Sequence, residues 1–338
     1  MSQSQPPFPL PPEPAPRSSG ESLHPLSMSQ IVDLSLRMVR FAWRPLYGAA
    51  AAFLVPLYVV LALLEPVIAP PINRGVVLLE RWFRQLEALG GATDRPLPPM
   101  PVLPAGFWEA IGTTLLLFVV AGVVGFMAGA AVVHAVGTTY QGEIGSARTS
   151  VASTFRRGPR LAGAWLAYTL AIVALSLLGA VLAAGLIGAG AGAVAFVGLV
   201  VIVAVFAAVV FLFVRWVFVE QTIMLEDRAA LEGLGRSWRL VSGAGWRVLG
   251  YLLAAGFVLG LLAGLPVSVA MQLLTGGQPT NDPLAMTAQP LLVGLTAILL
   301  QPVWAALFTL LYYDVRWRKG ELGNARTAAE LDSRQQPS

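Results

Sequence analysis

Six long apolar stretches run through this chain, and 18 of its 22 lysines and arginines fall in every second gap between them. The stretches cover about 45–69, 107–136, 161–185, 192–213, 248–274 and 290–313. Each is long enough to cross a bilayer, since about 20 helical residues span a hydrocarbon core about 30 Å thick. One set of gaps carries Arg17, Arg37, Arg40 and Arg44, then Arg148, Arg156, Arg157 and Arg160, then Arg215, Arg228, Arg236, Arg239 and Arg247, then Arg316, Arg318, Lys319, Arg326 and Arg334. The other set carries only Arg74, Arg81, Arg84 and Arg95, all in the first outer gap. The positive-inside rule then predicts both termini in the cytoplasm. The expected fold class is all-α, a polytopic membrane protein of six transmembrane helices in a bacterial plasma (inner) membrane.

With 56% hydrophobic and 12% charged residues, the chain lies far from soluble proteins, of which about a quarter of residues are charged. Residues 161–214 include no Asp, Glu, Lys, Arg or His. As one helix they would reach about 80 Å, so the segment has to fold back once. Gly185, Gly188, Gly190 and Gly192 supply the expected turn, because glycine accepts positive φ. The chain has no cysteine, which excludes disulfides, thiolate nucleophiles and cysteine-bound metals. Its start lacks the order of a cleaved signal peptide, and the first span is expected to act as its own insertion signal.

Residues 1–26 hold eight prolines and read as a disordered tail; residues 27–319 form the membrane domain and 320–338 a cytoplasmic tail. After the first tail, Ile31, Leu34, Met38 and Phe41 recur at helical spacing, and Ser27 with Gln30 makes a capping box. The same spacing returns as Leu231, Leu234, Trp238 and Val241, with Asp227 as the expected N-cap. A weaker version, with Val151 and Phe155, is expected to close at Gly158 and Pro159. The chain thus reads as three units, each a basic amphipathic helix lying on the cytoplasmic interface followed by a helical hairpin. In the first outer gap Leu79, Trp82, Phe83, Leu86 and Leu89 suggest a short helix resting on the outer surface.

Chemistry-bearing residues are few. Intramembrane ionisable groups are functional candidates by default, which singles out Glu65, Glu109, His134 and, at the end of the last span, Asp314. Glu65 and Glu109 are expected near one depth, either meeting at an outer vestibule or touching interfacial water. His134 reads as a carbonyl-bonded histidine or a proton relay lacking an evident carboxylate. Gly125 with Gly129, and Gly256, Gly260 and Gly264, are small-residue ridges of the kind that let helices approach, within one molecule or in a homodimer. Phosphate loops, paired histidines with a glutamate and nucleophile elbows are missing, so no enzyme activity, cofactor or metal site is expected.

The stretch from Trp216, WVFVEQTIMLEDRAALEGLGRSWRLVSGAGWRVLGYLL, and that from Leu310, LLYYDVRWRKGELG, resemble the bacterial membrane proteins of the glycerophosphoryl diester phosphodiesterase membrane domain family. The matching positions are Glu220 or Glu226, Arg236, Ser237, Trp238, Trp246, Arg247, Tyr312, Tyr313, Asp314, Arg316 and Arg318. The resemblance covers the C-terminal third and implies a six-helix membrane domain without the catalytic domain fused to it in some members. Asp314, beside Arg316 and Arg318, is expected either to pair with Arg236 or Arg239 or to belong to an aromatic and basic anchor at the interface. The resulting expectation is a non-enzymatic scaffold for lipid or a protein partner, with contacts at Arg37, Arg40, Arg236, Trp238, Arg239 and Arg247. Anionic headgroups are the expected partners, a homo-oligomer remains open, and nucleic acid is not expected. The alternative is a small-solute or lipid transporter, motivated by Pro56, Pro266 and Pro302 within spans and by Glu65, Glu109 and His134.

Overall fold

The computed structural model describes residues 27–88, 98–140, 143, 145–188, 192–276 and 282–321. Both expected tails, apart from Gly320 and Glu321, lie outside them. Nine helices are formed among the described residues: α1 (Met28–Phe41), α2 (Trp43–Ala88), α3 (Phe107–Tyr140), α4 (Ala147–Gly188), α5 (Ala193–Arg215), α6 (Val219–Glu226), α7 (Ala230–Val241), α8 (Gly245–Thr275) and α9 (Pro283–Arg318). Six helical segments are long and apolar enough to cross a membrane: α2, α3, α4, α5 continued into α6, α8 and α9. Backbone groups in hydrocarbon must bond within their own helix, which is why these segments are helical, with a turn at 216–218 between α5 and α6.

Helix ends follow local chemistry. Ser27 Oγ accepts the Gln30 amide while Gln30 Oε1 accepts the Ser27 amide, the expected capping box. Asp282 caps α9 by accepting the Leu284 amide, with Pro283 in the first turn. Gly192, at φ +80°, begins α5, but Gly185 and Gly188 belong to α4 and Gly190 lies outside the described residues.

Three expected boundaries are different. The helix of the first span continues through Pro66, Pro70 and Pro71 to Ala88, so Leu79, Trp82, Phe83 and Leu86 of the outer stripe prolong α2 and form no separate surface helix, while Leu89 lies outside the described residues. Trp82 Nε1 donates to the Pro98 carbonyl, tying that extension to the chain returning toward α3. The second lead-in helix does not close at Pro159, which sits inside α4. Asp227 caps no helix start: it adopts a left-handed conformation (φ 56°) after α6, and Glu232 accepts the Ala229 amide at the head of α7.

The bundle is dense on its arginine-rich side and open on the other. Ala128 to Val133, Ala135 and Val136 of α3 are buried on all sides, as are residues 305–312 of α9. These two half-helices are the centre around which α1, α2, α4 and α6 pack. By contrast Leu115, Leu116 and Phe118 of α3, Leu177 and Leu178 of α4 and most large residues of α5 are exposed. Side chains so apolar and so exposed belong against lipid tails. The lead-in helices α1 and α7 turn much of their apolar face inward: Ile31 and Met38 are buried in the core, and so are Leu234, Leu240 and Val241. Leu231, expected on the same apolar face, is exposed.

Candidate functional site on the arginine-rich side

Short helix α6 organises this side. Val219, Gln221, Thr222, Ile223 and Met224 are buried, and Ser237 of α7 locks the turn before α6 by accepting the Phe218 amide and donating to the Arg215 carbonyl. At its end stand two acidic residues facing different ways. Glu226 accepts Arg236 Nε at 2.9 Å and the Tyr312 hydroxyl, with Arg228 and Arg316 at 3.6 and 3.7 Å. Glu321 bridges Arg236 and Arg316. Asp227 takes Arg157 at 2.9 Å and Arg160 at 3.0 Å, joining α4 to the α6–α7 turn. Arg157 and Arg160 stabilise the charged carboxylate of Asp227, holding its pKa below the usual range. Glu321 is also held below its ordinary value: partial burial acts upward, and hydrogen bonds from Arg236 and Arg316 outweigh it.

Asp314 is buried and pairs with Arg247 at 3.2 Å and Arg318 at 2.9 Å. The ion pairs formed are thus with Arg247 and Arg318 and not the expected ones with Arg236 or Arg239; Arg236 is given to Glu226 and Glu321. Glu226, Arg236, Tyr312 and Arg316, which carry the family resemblance in the sequence, therefore converge in one cluster. Trp238 belongs to a second chain of contacts. The Arg215 guanidinium lies 5.1 Å from its ring and 4.9 Å from that of Phe211, and Trp216 follows at 6.2 Å.

The remaining cations are distributed differently. Arg37 forms an exposed pair with Asp33 one turn away. Arg40, Arg44, Arg148 and Arg156 are exposed and have no carboxylate partner among the described residues. They lie on neighbouring elements, because the start of α2 rests on the start of α4: Gly48 faces Ala147, and the Phe53 and Phe155 rings are 5.3 Å apart. Trp43 and Phe155, both exposed, stand among these arginines.

The intramembrane candidates do not assemble. Gly75 of α2 abuts the Phe107 ring of α3. Counting from that contact at 1.5 Å per residue puts Glu65 about 12 Å deeper than Glu109, so the two do not share a depth. His134 is paired with Ser150, its Nδ1 3.2 Å from the hydroxyl, and not with a carbonyl. Of the glycine ridges, Gly129 is in close contact with Glu220 and Gln301, whereas Gly125, Gly256, Gly260 and Gly264 have open space where a side chain would be.

Beside α6 lies a cavity of about 240 Å³ between α3, α4, the α5–α6 turn and α9. Glu220, Gln221, Trp165, Tyr168, Trp216 and Trp304 are among its lining residues. The lining aromatics are dispersed over four helices and the α5–α6 turn, so helical periodicity shows them only as ordinary span residues. Glu220 was visible in the sequence as one of two matching glutamates, with nothing to separate it from Glu226.

Architecture and charge distribution together define a multi-pass, all-α membrane protein. Within that class the chain belongs to the family described as a domain of unknown function, DUF7847, whose model matches residues 49–315. That match begins inside the first span, reaches into the sixth and stops before the last arginines of α9. No curated protein and no solved structure matches the chain.

Proposed function

We propose that this protein is a non-enzymatic, lipid-interacting component of a bacterial plasma membrane, with its arginine-rich side in the cytoplasm and seated on anionic headgroups. The observation that carries the reading is the division of labour among the arginines. Arg157, Arg160, Arg236, Arg247, Arg316 and Arg318 are bound to carboxylates of the protein itself. Arg40, Arg44, Arg148 and Arg156 are exposed and have no carboxylate partner among the described residues, next to exposed Trp43 and Phe155. Basic side chains beside aromatic ones suit the boundary of headgroups and acyl chains. Each arginine near an anionic surface contributes about 1 kcal/mol.

The test is native mass spectrometry of the purified protein with phosphatidylglycerol and with phosphatidylcholine. Replacing Arg40, Arg44, Arg148 and Arg156 together by glutamine should remove most of the preference for phosphatidylglycerol. Retention of the full preference in a folded variant would refute the reading. The transport alternative is favoured by one observation, the cavity beside Glu220, and requires solute flux in liposomes.

A further inference from the structure

We propose that the cavity beside α6 is a binding site for an organic ammonium group. Seven of its thirteen lining residues are aromatic and none is cationic. Its only ionisable acid is Glu220. A carboxylate ringed by aromatic faces is the chemistry that recognises alkylated ammonium ions, which are drawn to the negative face of a π system and to the anion together.

Two polar groups at the site lack partners. No described residue hydrogen-bonds or ion-pairs with the Glu220 carboxylate, although four nearby acids of the same side are each held by arginine. An uncompensated carboxylate within a span is costly, and a cation in the cavity would neutralise it. Gln221 Oε1 is buried without a donor and also lines the cavity. Gly129 makes the placement of Glu220 possible, since a Cβ there would come within 2.6 Å of Glu220 Oε2.

Size and chemistry narrow the ligand. A cavity of about 240 Å³ is smaller than the range of roughly 300–1,000 Å³ for drug-sized ligands, which suits a headgroup and not a whole lipid. Metal ions are disfavoured because they need several hard or imidazole ligands, and no group of three His, Cys, Asp or Glu occurs among the described residues. Anions would find no basic side chain there, since none of the lining residues is cationic. Phe213 lines the cavity and is 44% exposed on the apolar outside of α5, which makes the lipid side a way in. This site is separate from the surface arginines, so its failure and theirs are independent.

Tryptophan fluorescence of the full chain in maltoside micelles tests it, because Trp165, Trp216 and Trp304 line the cavity. Titration with choline should give a saturable change, and its neutral isostere 3,3-dimethylbutanol should bind roughly tenfold more weakly or worse. Glu220→Gln should reduce choline binding to the level of the neutral isostere. Trp304→Leu, which keeps an apolar side chain, should weaken choline several-fold and leave the isostere little changed. Equal binding of choline and 3,3-dimethylbutanol, or no choline binding, would overturn the proposal whether or not Glu220→Gln folds. In the same cuvette, dihexanoylphosphatidylcholine displacing choline at lower concentration identifies a lipid headgroup as the source. Failure of that lipid to displace choline identifies a free amine; both results support an ammonium site.

Discussion

Neutralising Glu226 without changing its shape should loosen the contact between α6, α7 and the end of α9. Its side chain is 10% exposed and holds Arg236 and Tyr312 by hydrogen bonds, with Arg228 and Arg316 within 3.7 Å. In Glu226→Gln the Tyr312 bond can persist, but Arg236 and Arg316 are left to share Glu321 alone. A hydrogen bond to a charged group contributes about 1.5–3 kcal/mol, and breaking a buried pair costs about 3–5 kcal/mol. The arginines are 17% and 21% exposed, so water recovers part of the loss. The expected destabilisation is about 2–3 kcal/mol, at the lower end of those ranges. In a thermal melt in maltoside micelles this is a fall of roughly 5–10 °C, taking about 2–4 °C per kcal/mol for a large domain. Arg236→Gln should cost a similar amount, and the double variant should cost clearly less than the sum, since contacting residues couple by about 0.5–3 kcal/mol. A melt of Glu226→Gln unchanged from that of the parent, or strict additivity in the cycle, would refute the reasoning.

Two further outcomes follow from the packing and the charges. Gly122→Ala should destabilise by about 1–3 kcal/mol, because its methyl would overlap the Trp165 ring. Gly260→Ala should be neutral or stabilising by up to about 1 kcal/mol, since nothing lies within 4 Å and alanine favours helix; a melt ranking the two the other way would contradict the packing. The Asp227 pKa is depressed from 3.8, so its contribution is complete above the unfolded value and is lost as pH falls through the lower folded one. Melts from pH 7 downward should be flat in this respect until about pH 4 and then decline, and Asp227→Asn should remove part of that decline. An identical acid slope in Asp227→Asn would exclude the Arg157 and Arg160 contacts as its source.

Legibility in the sequence differed by residue. The Ser27–Gln30 capping box is contained in four consecutive residues and is formed as read. Pro159 reads as a helix end and the first span as closing at residue 69, yet helices run through Pro159, Pro70 and Pro71. In a bundle, neighbouring helices can satisfy the carbonyls a proline frees. Arg236 and Arg40 look alike in sequence, each a basic residue on an amphipathic lead-in helix. Only folding brings Glu321, 85 residues away, to Arg236 and leaves Arg40 without an acid among the described residues. Gly129 and Gly260 likewise occur in similar small-residue ridges, and only one is in contact with another element.

The six spans and the arginine asymmetry were determined by the sequence alone, because both are sums over some twenty consecutive residues against a solvent of fixed thickness. The identity of each arginine's partner was not, nor was the aromatic cavity around Glu220, which has no partner among the described residues. Those depend on which side chains from α3, α4, α6, α7 and α9 share a few ångströms of space. Apolar helices in lipid gain nothing from hiding apolar surface, so van der Waals fit between their small and large residues selects that arrangement. Such fit is a property of pairs distant in the chain, and only the tertiary structure decides it.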